Sequence, residues 1–390
     1  MLFILWKIPD ILQGRLWAED GLFLLDALHL PWWQALTTPH TGYIDVVASG
    51  AMLIATRVTD LDHVALVSVA IALIVQICPV VLLVTTRCEW LRQRRVRLIA
   101  VLLVLTPPVA EEIWLSPVTS QYHLMLCAGL ILAFEVRRGA IGMLQLLLLG
   151  IAGLTGPGPA LVAPLFIARA CLDRSRRRAI QAAVLSTGAL IEITMVCAHP
   201  EPGRHLGINP ALLLHVIYIK HLVIPFLGPR LAFSVTNRLD RAGLLERYPL
   251  IPILVSTMAI TGLTLAAATA RAREVRWLCA AAFTMMILSY FGALGGQAHL
   301  LEIYFGARYY FAPQVLLELT LLSIASTGTG VRRTVTMVLV TWLLIVGIGT
   351  YRSINQGMAH GPSWREQVVQ WRARNANTVM LWPPTFTIIP

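Results

Sequence analysis

The sequence predicts an all-α membrane protein, and three observations support this prediction. Apolar residues make up 57% of the 390 residues and charged residues only 13%, whereas a soluble domain carries about 25% charged residues. The mean hydropathy is +0.71. Long apolar runs recur along the chain, and helices satisfy their own backbone polar groups inside a bilayer. We therefore expect a polytopic helical bundle of about eleven or twelve spans.

The formal net charge of +11 comes from arginine clusters that separate the apolar runs. A nucleic-acid surface would carry stacking aromatics among its cations, so we expect no nucleic-acid partner. Arginine and lysine favour the cytoplasmic side of membrane loops. This tendency places five segments in the cytoplasm: 87–97, 137–138, 169–178, 271–276 and 332–333.

The predicted spans lie between these loops and alternate in direction without conflict. An apolar stub over 1–8, followed by Pro9, is expected to be the outer half of a first span. In chain order the other predicted spans cover 64–86, 98–110, 121–136, 140–154, 159–167, 180–197, 212–227, 251–270, 277–294, 311–326 and 335–349.

The first outer loop, residues 10–63, is too long and too polar for a simple connector. We expect two amphipathic helices on the membrane surface within it, over 21–30 and 44–58. The transmembrane domain then covers 1–350. The remaining residues, 351–390, form a short outer tail that we expect to fold back as a small cap.

Two acidic pairs lie on the predicted outer face. Glu19 and Asp20 precede the first surface helix, and Glu111 and Glu112 follow the outer end of a span. Both pairs have structural explanations, with Asp20 as a helix N-cap and Glu111 and Glu112 in a solvated loop. As functional groups they act either as a general base toward an acceptor hydroxyl or as ligands of a divalent metal, Mg or Mn.

Arg308 lies among tyrosines at the predicted outer mouth of a span. A guanidinium there suits bidentate binding of a lipid phosphate, and the alternative is an interfacial arginine that snorkels. Residues 120–122, Ser-Gln-Tyr, open the span that follows the second acidic pair. Their amide and hydroxyl groups are suited to binding a sugar.

Other catalytic and metal-binding motifs are absent from the sequence. It contains no Walker loop, no H-E-x-x-H and no G-x-S-x-G, so a cytosolic nucleotide site is unsupported. The six cysteines are scattered without C-x-x-C spacing. We expect them to be buried small apolar side chains that form neither a disulfide framework nor a metal site.

In these features the chain resembles the GT-C superfamily of integral-membrane glycosyltransferases, which use polyprenyl-phosphate-linked sugars. The resemblance covers most of the chain, and each motif is short. Ser120 and Tyr122 replace the more usual residues of an Asn-x-Gln-Trp motif. The matching features are the acidic pair Glu19 and Asp20, Gly42 and Tyr43 before the second surface helix, the acidic second outer loop, Ser120-Gln121-Tyr122, Thr155-Gly156-Pro157, and Arg308 with Tyr309.

The resemblance implies sugar transfer from a polyprenyl-phosphate donor to a lipid or polysaccharide acceptor. The reaction would take place on the outer, periplasmic face of a bacterial inner membrane. Asp20, or Glu19 beside it, would remove the acceptor proton, while Arg308 and Tyr309 would bind the donor phosphate. The implied acceptor and sugar contacts are Glu111, Glu112, Gln121, Tyr122 and Tyr43.

The sequence is also compatible with two other functions. One is a transporter or flippase of lipid-linked sugars, and the other is a non-catalytic membrane assembly subunit. Transporters place ionisable groups near the bilayer midplane and are often built from matched halves. Glu192 is the clearest acid inside a predicted span, but no two halves of the sequence match.

Overall fold

The computed structural model describes residues 4, 14–108, 112–200, 209–241, 250–294, 301–303, 306–351, 361–383 and 386–390. Within these ranges the chain is helical apart from connecting turns and one two-stranded sheet, so the all-α class is confirmed. The predicted N-terminal half-span, apart from Ile4, and Glu111 lie outside the described residues.

The helices follow the apolar runs, and their bounds are given in chain order. The first half contains α1 (Asp20–His29), α2 (Trp32–Thr37), α3 (Val46–Val58), α4 (Val64–Gln76), α5 (Cys78–Thr85), α6 (Arg94–Leu105), α7 (Ser120–Ala133), α8 (Gly139–Gly153), α9 (Pro157–Ala160), α10 (Ala163–Asp173) and α11 (Arg176–Ala198). Short 3-10 turns cover Leu61–His63 and Glu89–Leu91.

The second half contains longer helices and the short sheet. The helices are α12 (Pro210–Ile217), α13 (Ile224–Arg241), α14 (Leu250–Ala268), α15 (Arg273–Leu294), α16 (Ala307–Thr327), α17 (Gly330–Thr350) and α18 (Trp364–Arg372). A π-helix, Tyr218–Val223, joins α12 to α13. The strands β1 (Val379–Met380) and β2 (Thr387–Ile388) pair antiparallel. The all-α prediction did not include these strands.

Five helical segments among the described residues are long and apolar enough to cross a membrane. They are Leu61–Thr85, Arg176–Ala198, Pro210–Arg238, Leu250–Ala268 and Gly330–Thr350. The predicted count of about eleven or twelve spans is therefore not confirmed, since a spanning helix needs about 20 residues. Helices α6, α8 and α10, which were predicted to span, have 12, 15 and 11 residues.

Helix α7 lies at the centre of the bundle, because all 14 of its residues are buried. A helix that is apolar on every side buries all of its faces, and α7 packs against α5, α8, α15 and α16. Helices α14 and α17 lie at the periphery, where Met258 is 72% and Val331 80% exposed. Apolar side chains on an outer face suit contact with lipid.

The cysteines are only partly as expected. All six are free, and Cys88, Cys127 and Cys279 are buried. Cys171 and Cys197 are exposed, so the prediction of buried cysteines is wrong for these two. Both lie near the end of an apolar helix, where the outward face is as apolar as the inward one.

Helices α8 and α11 approach each other closely through two glycines. A Cβ atom on Gly188 would lie 2.6 Å from the Cα atom of Gly153. Small residues let helix backbones come this close in membrane bundles. The contact fixes α11 beside α8, and α11 also packs against α9 and α10.

The arginine-rich loops meet at one end of the bundle. Asp173 is the centre of an ion-pair cluster, and Glu135 joins two further loops. Asp173 pairs with Arg169, Arg178 and Arg273, while Glu135 accepts hydrogen bonds from Arg137 and from the backbone of Arg87. Glu135 follows the last turn of α7, whereas Ser120 begins that helix about 20 Å away. The residues around Ser120 therefore lie at the opposite end.

Helices α1 and α3 lie at the positions of the two predicted surface helices. Asp45 caps α3, since its Oδ1 accepts hydrogen bonds from the backbone of Val47 at 3.1 Å and of Ala48 at 2.8 Å. A third helix, α2, carries two exposed tryptophans, Trp32 and Trp33. These helices cover one side of the bundle end that holds Ser120.

The C-terminal segment packs onto the first loop. Trp382 forms an isolated parallel bridge with Trp17, and its backbone N–H donates to the Leu16 carbonyl at 2.9 Å. A Cβ atom on Gly21 would lie 2.5 Å from Leu381 Cδ1. The absence of a side chain at Gly21 therefore lets this segment lie directly against the start of α1.

Candidate functional site

The adjacent acids at the start of α1 point into different surroundings. Asp20 is 0% exposed, and both of its carboxylate oxygens accept hydrogen bonds. Oδ2 accepts from the Trp17 N–H and the Ser116 hydroxyl, each at 2.9 Å, and Oδ1 accepts from the Val118 N–H at 3.2 Å. Asp20 thus joins the first loop to the loop before α7. It is not an N-cap, because the N-cap position is Glu19, which makes no capping bond.

Burial is the main cause of the shifted pKa values of Asp20 and Arg15 at this turn. It raises the pKa of Asp20 to about 6, although its three hydrogen bonds act in the opposite direction. Burial likewise lowers the pKa of Arg15 to about 10, while Asp20 acts to raise it. The Arg15 guanidinium donates to the Trp114 carbonyl at 2.5 Å and lies over the Trp382 ring at 5.2 Å. These groups form the interior support of the acidic turn.

Glu19 pairs with Arg308, 289 positions later in the chain. The Arg308 Nη1 to Glu19 Oε1 distance is 3.0 Å, and the two side chains are 31% and 33% exposed. The backbone N–H of Arg308 donates to Glu112 Oε1 at 3.1 Å. Arg308 lies between carboxylates from two different loops.

Aromatic and amide side chains surround this cation. Arg308 lies 5.6 Å from the centre of the Tyr309 ring, and Tyr309 packs edge-on against Tyr122 at 5.6 Å. Gln121 donates to the Tyr43 hydroxyl at 3.4 Å. Six residues predicted for the site, Glu19, Arg308, Tyr309, Tyr122, Gln121 and Tyr43, are thus brought to the same end of the bundle, and Glu112 joins them through the Arg308 backbone.

Gly156 is required beside this cluster. Its φ of +72° lies in the left-handed region, and a Cβ atom there would lie 2.4 Å from Gln121 Oε1. Only glycine combines this backbone conformation with such a close approach. The Thr-Gly-Pro segment therefore fixes the Gln121 amide next to Tyr43.

An apolar cavity of about 800 Å³ opens beside these groups. This volume is typical of ligand-binding pockets. Tyr43, Gln121, Tyr122 and Tyr309 lie in its wall. Asp20 is not among the residues that line the cavity. The rest of the wall is mainly apolar and comes from α7, α9, α10, α11 and α15, including Met125, Leu161, Ile167, Leu190, Ile193 and Leu288.

Two further acids lie near the cluster and were not predicted as site residues. Asp45 is buried beside Asp20 and Glu192, and burial raises its pKa well above the usual value, with the two neighbouring acids adding to the effect. Glu192 lines the cavity, and its Oε2 accepts from the Ile44 N–H at 3.3 Å. The sequence gives only weak signals for these two residues. Asp45 precedes an apolar helical run, and Glu192 is a single acid within such a run.

A separate polar network lies inside the second half of the bundle. His221 lies 3.0 Å from Gln314 Oε1 and 3.2 Å from the Tyr290 hydroxyl, and Gln314 donates to Glu318 at 2.9 Å. Lys220, beside His221, donates to the carbonyl of Ile303 at 2.7 Å. Ionisable residues inside apolar helices are candidates for function. Sequence reasoning missed this network, because its members are scattered singly among apolar residues.

No metal centre is evident in the part of the chain that the structure describes, where no group of three or more His, Cys, Asp and Glu side chains is arranged to hold an ion. Comparisons with protein-family models, curated proteins and solved structures found no match to this chain. The geometry of the site is therefore the basis for the functional interpretation.

Proposed function

We propose that this protein is a membrane glycosyltransferase that moves a sugar from a polyprenyl-phosphate donor to a lipid or polysaccharide acceptor. One observation carries the proposal. Arg308, held between Glu19 and Glu112, lies over the ring of Tyr309, and Tyr309 lines an apolar cavity of about 800 Å³. A cation near a large apolar cavity suits a ligand with an anionic head and a hydrocarbon tail.

The donor phosphate is assigned to Arg308. A guanidinium has five N–H donors in a planar fork, so the pair with Glu19 leaves donors for a second anion. The side chain is about one-third exposed, and its neighbour Tyr309 lines the cavity. The hydrocarbon tail then follows the apolar wall formed by α10 and α11, and Tyr309 and Tyr122 lie between head and tail.

Glu19 is the proposed general base. The acceptor O–H gives its proton to the Glu19 carboxylate while the acceptor oxygen forms a bond to the anomeric carbon. The bond from that carbon to the phosphate oxygen breaks, and its electron pair leaves on polyprenyl phosphate. Arg308 stabilises the charge that develops on this oxygen. Asp20 is assigned a supporting role, because its oxygens are sealed from solvent by protein hydrogen bonds.

The proposed location is a bacterial inner membrane, with the site on the outer face. The arginine loops that favour the cytoplasm cluster around Asp173 and Glu135, away from Arg308. We also propose that the bundle crosses the membrane more often than the five long helices alone would allow. In that arrangement shorter helices such as α7 are enclosed by the others.

The test is transfer of radiolabelled sugar from synthetic polyprenyl-phosphate sugars in proteoliposomes. Arg308→Ala is expected to reduce transfer about 10²–10³-fold, the usual effect of removing a group that stabilises developing negative charge. Arg308→Lys keeps the charge but loses the planar fork, so an intermediate loss is expected. Arg365→Ala, on the exposed face of α18, is the control. Wild-type transfer by Arg308→Ala would exclude this site.

The second candidate is a transporter or flippase, and the buried network of His221, Gln314 and Glu318 favours it. The same proteoliposomes distinguish it when the lipid-linked sugar is fluorescent and no acceptor is present. Movement of the lipid between leaflets without transfer would identify a flippase. If the wild-type protein neither moves the lipid nor transfers the sugar, the remaining interpretation is a non-catalytic assembly subunit.

A further inference from the structure

Two polar side chains of α11 in the cavity wall have a buried oxygen without a hydrogen-bond partner in the described part of the chain. Ser186 and Glu192 both line the cavity. The Ser186 hydroxyl and the Glu192 Oε1 atom have no hydrogen-bond partner among the described residues, and both atoms are buried. A buried polar group without a partner costs about 1–3 kcal/mol, and more when it is charged. Such groups call for a partner from outside the chain.

Glu192 is fixed in place by its other oxygen. The Ile44 N–H donates to Glu192 Oε2 at 3.3 Å, and the Ile44 carbonyl accepts from the Gly156 N–H at 2.9 Å. The junction between the first loop and the turn before α9 therefore holds the carboxylate. The free oxygen Oε1 belongs to a side chain whose position is already determined.

The surroundings of Glu192 identify the chemistry of its partner. Tyr43 is the neighbour of Ile44, and Gln121 contacts both Tyr43 and Gly156. These amide and hydroxyl groups lie in the same cavity wall as Glu192, while most of the remaining wall is apolar. A ligand that presents several hydroxyl groups satisfies a carboxylate oxygen, an amide and a serine hydroxyl together.

We propose that Glu192 forms a sugar-binding subsite, in which its Oε1 accepts a hydrogen bond from a hydroxyl group of the lipid-linked sugar. The inference rests on the proposed function and deepens it. The phosphate is then held at Arg308, the sugar among Gln121, Ser186 and Glu192, and the hydrocarbon tail beside the apolar wall. Glu192 is a binding residue in this arrangement, and proton transfer stays with Glu19.

The experiment compares binding of lipids with and without a sugar to the purified full chain in nanodiscs. The probes are polyprenyl monophosphate and its glucosyl, mannosyl, N-acetylglucosaminyl and arabinosyl derivatives. The wild-type protein is expected to bind at least one sugar-bearing lipid about tenfold more tightly than the bare lipid phosphate, as one charge-assisted hydrogen bond allows.

Glu192→Gln is expected to remove most of this preference and to leave binding of polyprenyl monophosphate unchanged. The glutamine amide retains an oxygen that accepts from the Ile44 N–H, so the fold is kept. Glu192→Ala loses both interactions and is expected to reduce sugar-dependent binding further. Glu274→Gln, in the first turn of α15 near the arginine loops, is the matched control and should bind every probe as the wild type does.

The outcomes separate this inference from the proposed function. If the wild type binds no polyprenyl phosphate with or without sugar, the proposed function fails. If it binds all probes equally, or if Glu192→Gln keeps the sugar preference, the subsite is overturned and Glu192 is satisfied by water only. If Glu192→Gln weakens the bare lipid phosphate as strongly as the sugar-bearing lipids, Glu192 shapes the cavity and does not read the sugar.

Discussion

At the scale of single residues, Glu19 and Asp20 show how adjacent positions acquire different chemistry. Successive residues at the start of a helix point about 100° apart, since the helix has about 3.6 residues per turn. Glu19 meets Arg308 and solvent, whereas Asp20 is enclosed by Trp17, Ser116 and Val118. Glu19 is paired with Arg308 across the bundle end, and Asp20 holds two loops together.

Exchanging the two acids for their amides separates these roles. Glu19→Gln is expected to reduce sugar transfer about 10²–10⁴-fold, the usual contribution of a general base, with an unchanged melting temperature. Asp20→Asn replaces one acceptor oxygen by a donor and should destabilise the fold by about 1–3 kcal/mol. Transfer assays and thermal melts of both variants provide the measurement. Wild-type melting with no transfer in Asp20→Asn would make Asp20 the base.

The raised pKa of Asp20 predicts a pH dependence of stability. Burial lifts the pKa from 3.8 to about 6 in the folded protein, so the folded state takes up a proton at higher pH than the unfolded state. The stabilisation from this group is complete below pH 4 and is lost as pH rises to about 6. It amounts to about 3 kcal/mol, at about 1.4 kcal/mol for each pKa unit.

The measurement is the difference in unfolding free energy between the wild type and Asp20→Asn in detergent at pH 4 to 7. The advantage of the wild type should shrink as pH rises through this window and stay constant above it. A difference that does not change with pH would mean that Asp20 has an ordinary pKa.

At the scale of elements, α11 links helix packing to the cavity. Its contact with α8 depends on Gly188 and Gly153, and the same helix carries Glu192 in the cavity wall. Protein interiors are packed too densely to accept an added atom without movement. A change at the glycine contact should therefore be felt in the cavity.

Gly188→Ala tests this link. The new Cβ atom would lie 2.6 Å from the Gly153 Cα atom, which forces the two helices apart and should cost about 1–3 kcal/mol. Gly262→Ala in α14 is the control, because no atom lies within 4 Å of the added carbon and alanine favours a helix by up to about 1 kcal/mol. Melting temperatures and polyprenyl monophosphate binding are measured for both. Identical behaviour of the two variants would show that the helices are not limited by this contact.

At the scale of the whole molecule, the chain separates its charges between two ends. Glu19, Glu112 and Arg308 form one cluster, and the arginine loops around Asp173 and Glu135 form the other. The apolar helices between them have exposed apolar faces. This arrangement matches a protein whose two ends lie in different aqueous compartments.

Labelling of cysteines on intact cells tests the orientation. One variant keeps the exposed Cys171 as its single cysteine, and the other carries Trp33→Cys, at a position that is 54% exposed. A membrane-impermeant maleimide should label position 33 and spare Cys171, because arginine-rich loops favour the cytoplasmic side. Both positions should react after permeabilisation. Labelling of Cys171 alone on intact cells would invert the orientation and place the site inside.

The sequence was sufficient for most helices because apolar runs and Pro or Gly breaks are local signals. The predicted surface helices correspond to α1 and α3, and most predicted spans to single helices. Helix lengths were less predictable. The run over 64–86 folds as two helices that meet at Ile77, just before Pro79, and the run over 212–227 contains a π-helix.

The candidate site was predictable in its composition and not in its pairing. Short motifs identified Glu19, Gln121 and Arg308, but no local pattern shows that Glu19 meets Arg308, since that contact joins distant parts of the chain. The sealed position of Asp20 depends on Ser116 and Val118 in another loop. Contacts of this kind follow from tertiary packing.

The position of the C-terminal segment has a consequence for biogenesis. Trp382 covers Arg15, and Leu381 lies against Gly21 at the beginning of α1. The ribosome synthesises the acidic turn early and the segment that packs over it, with Leu381 and Trp382, more than three hundred residues later. During synthesis and membrane insertion the turn therefore lacks its support. A chain that ends before Leu381 and Trp382 therefore lacks the packing that supports the start of α1 in the complete fold.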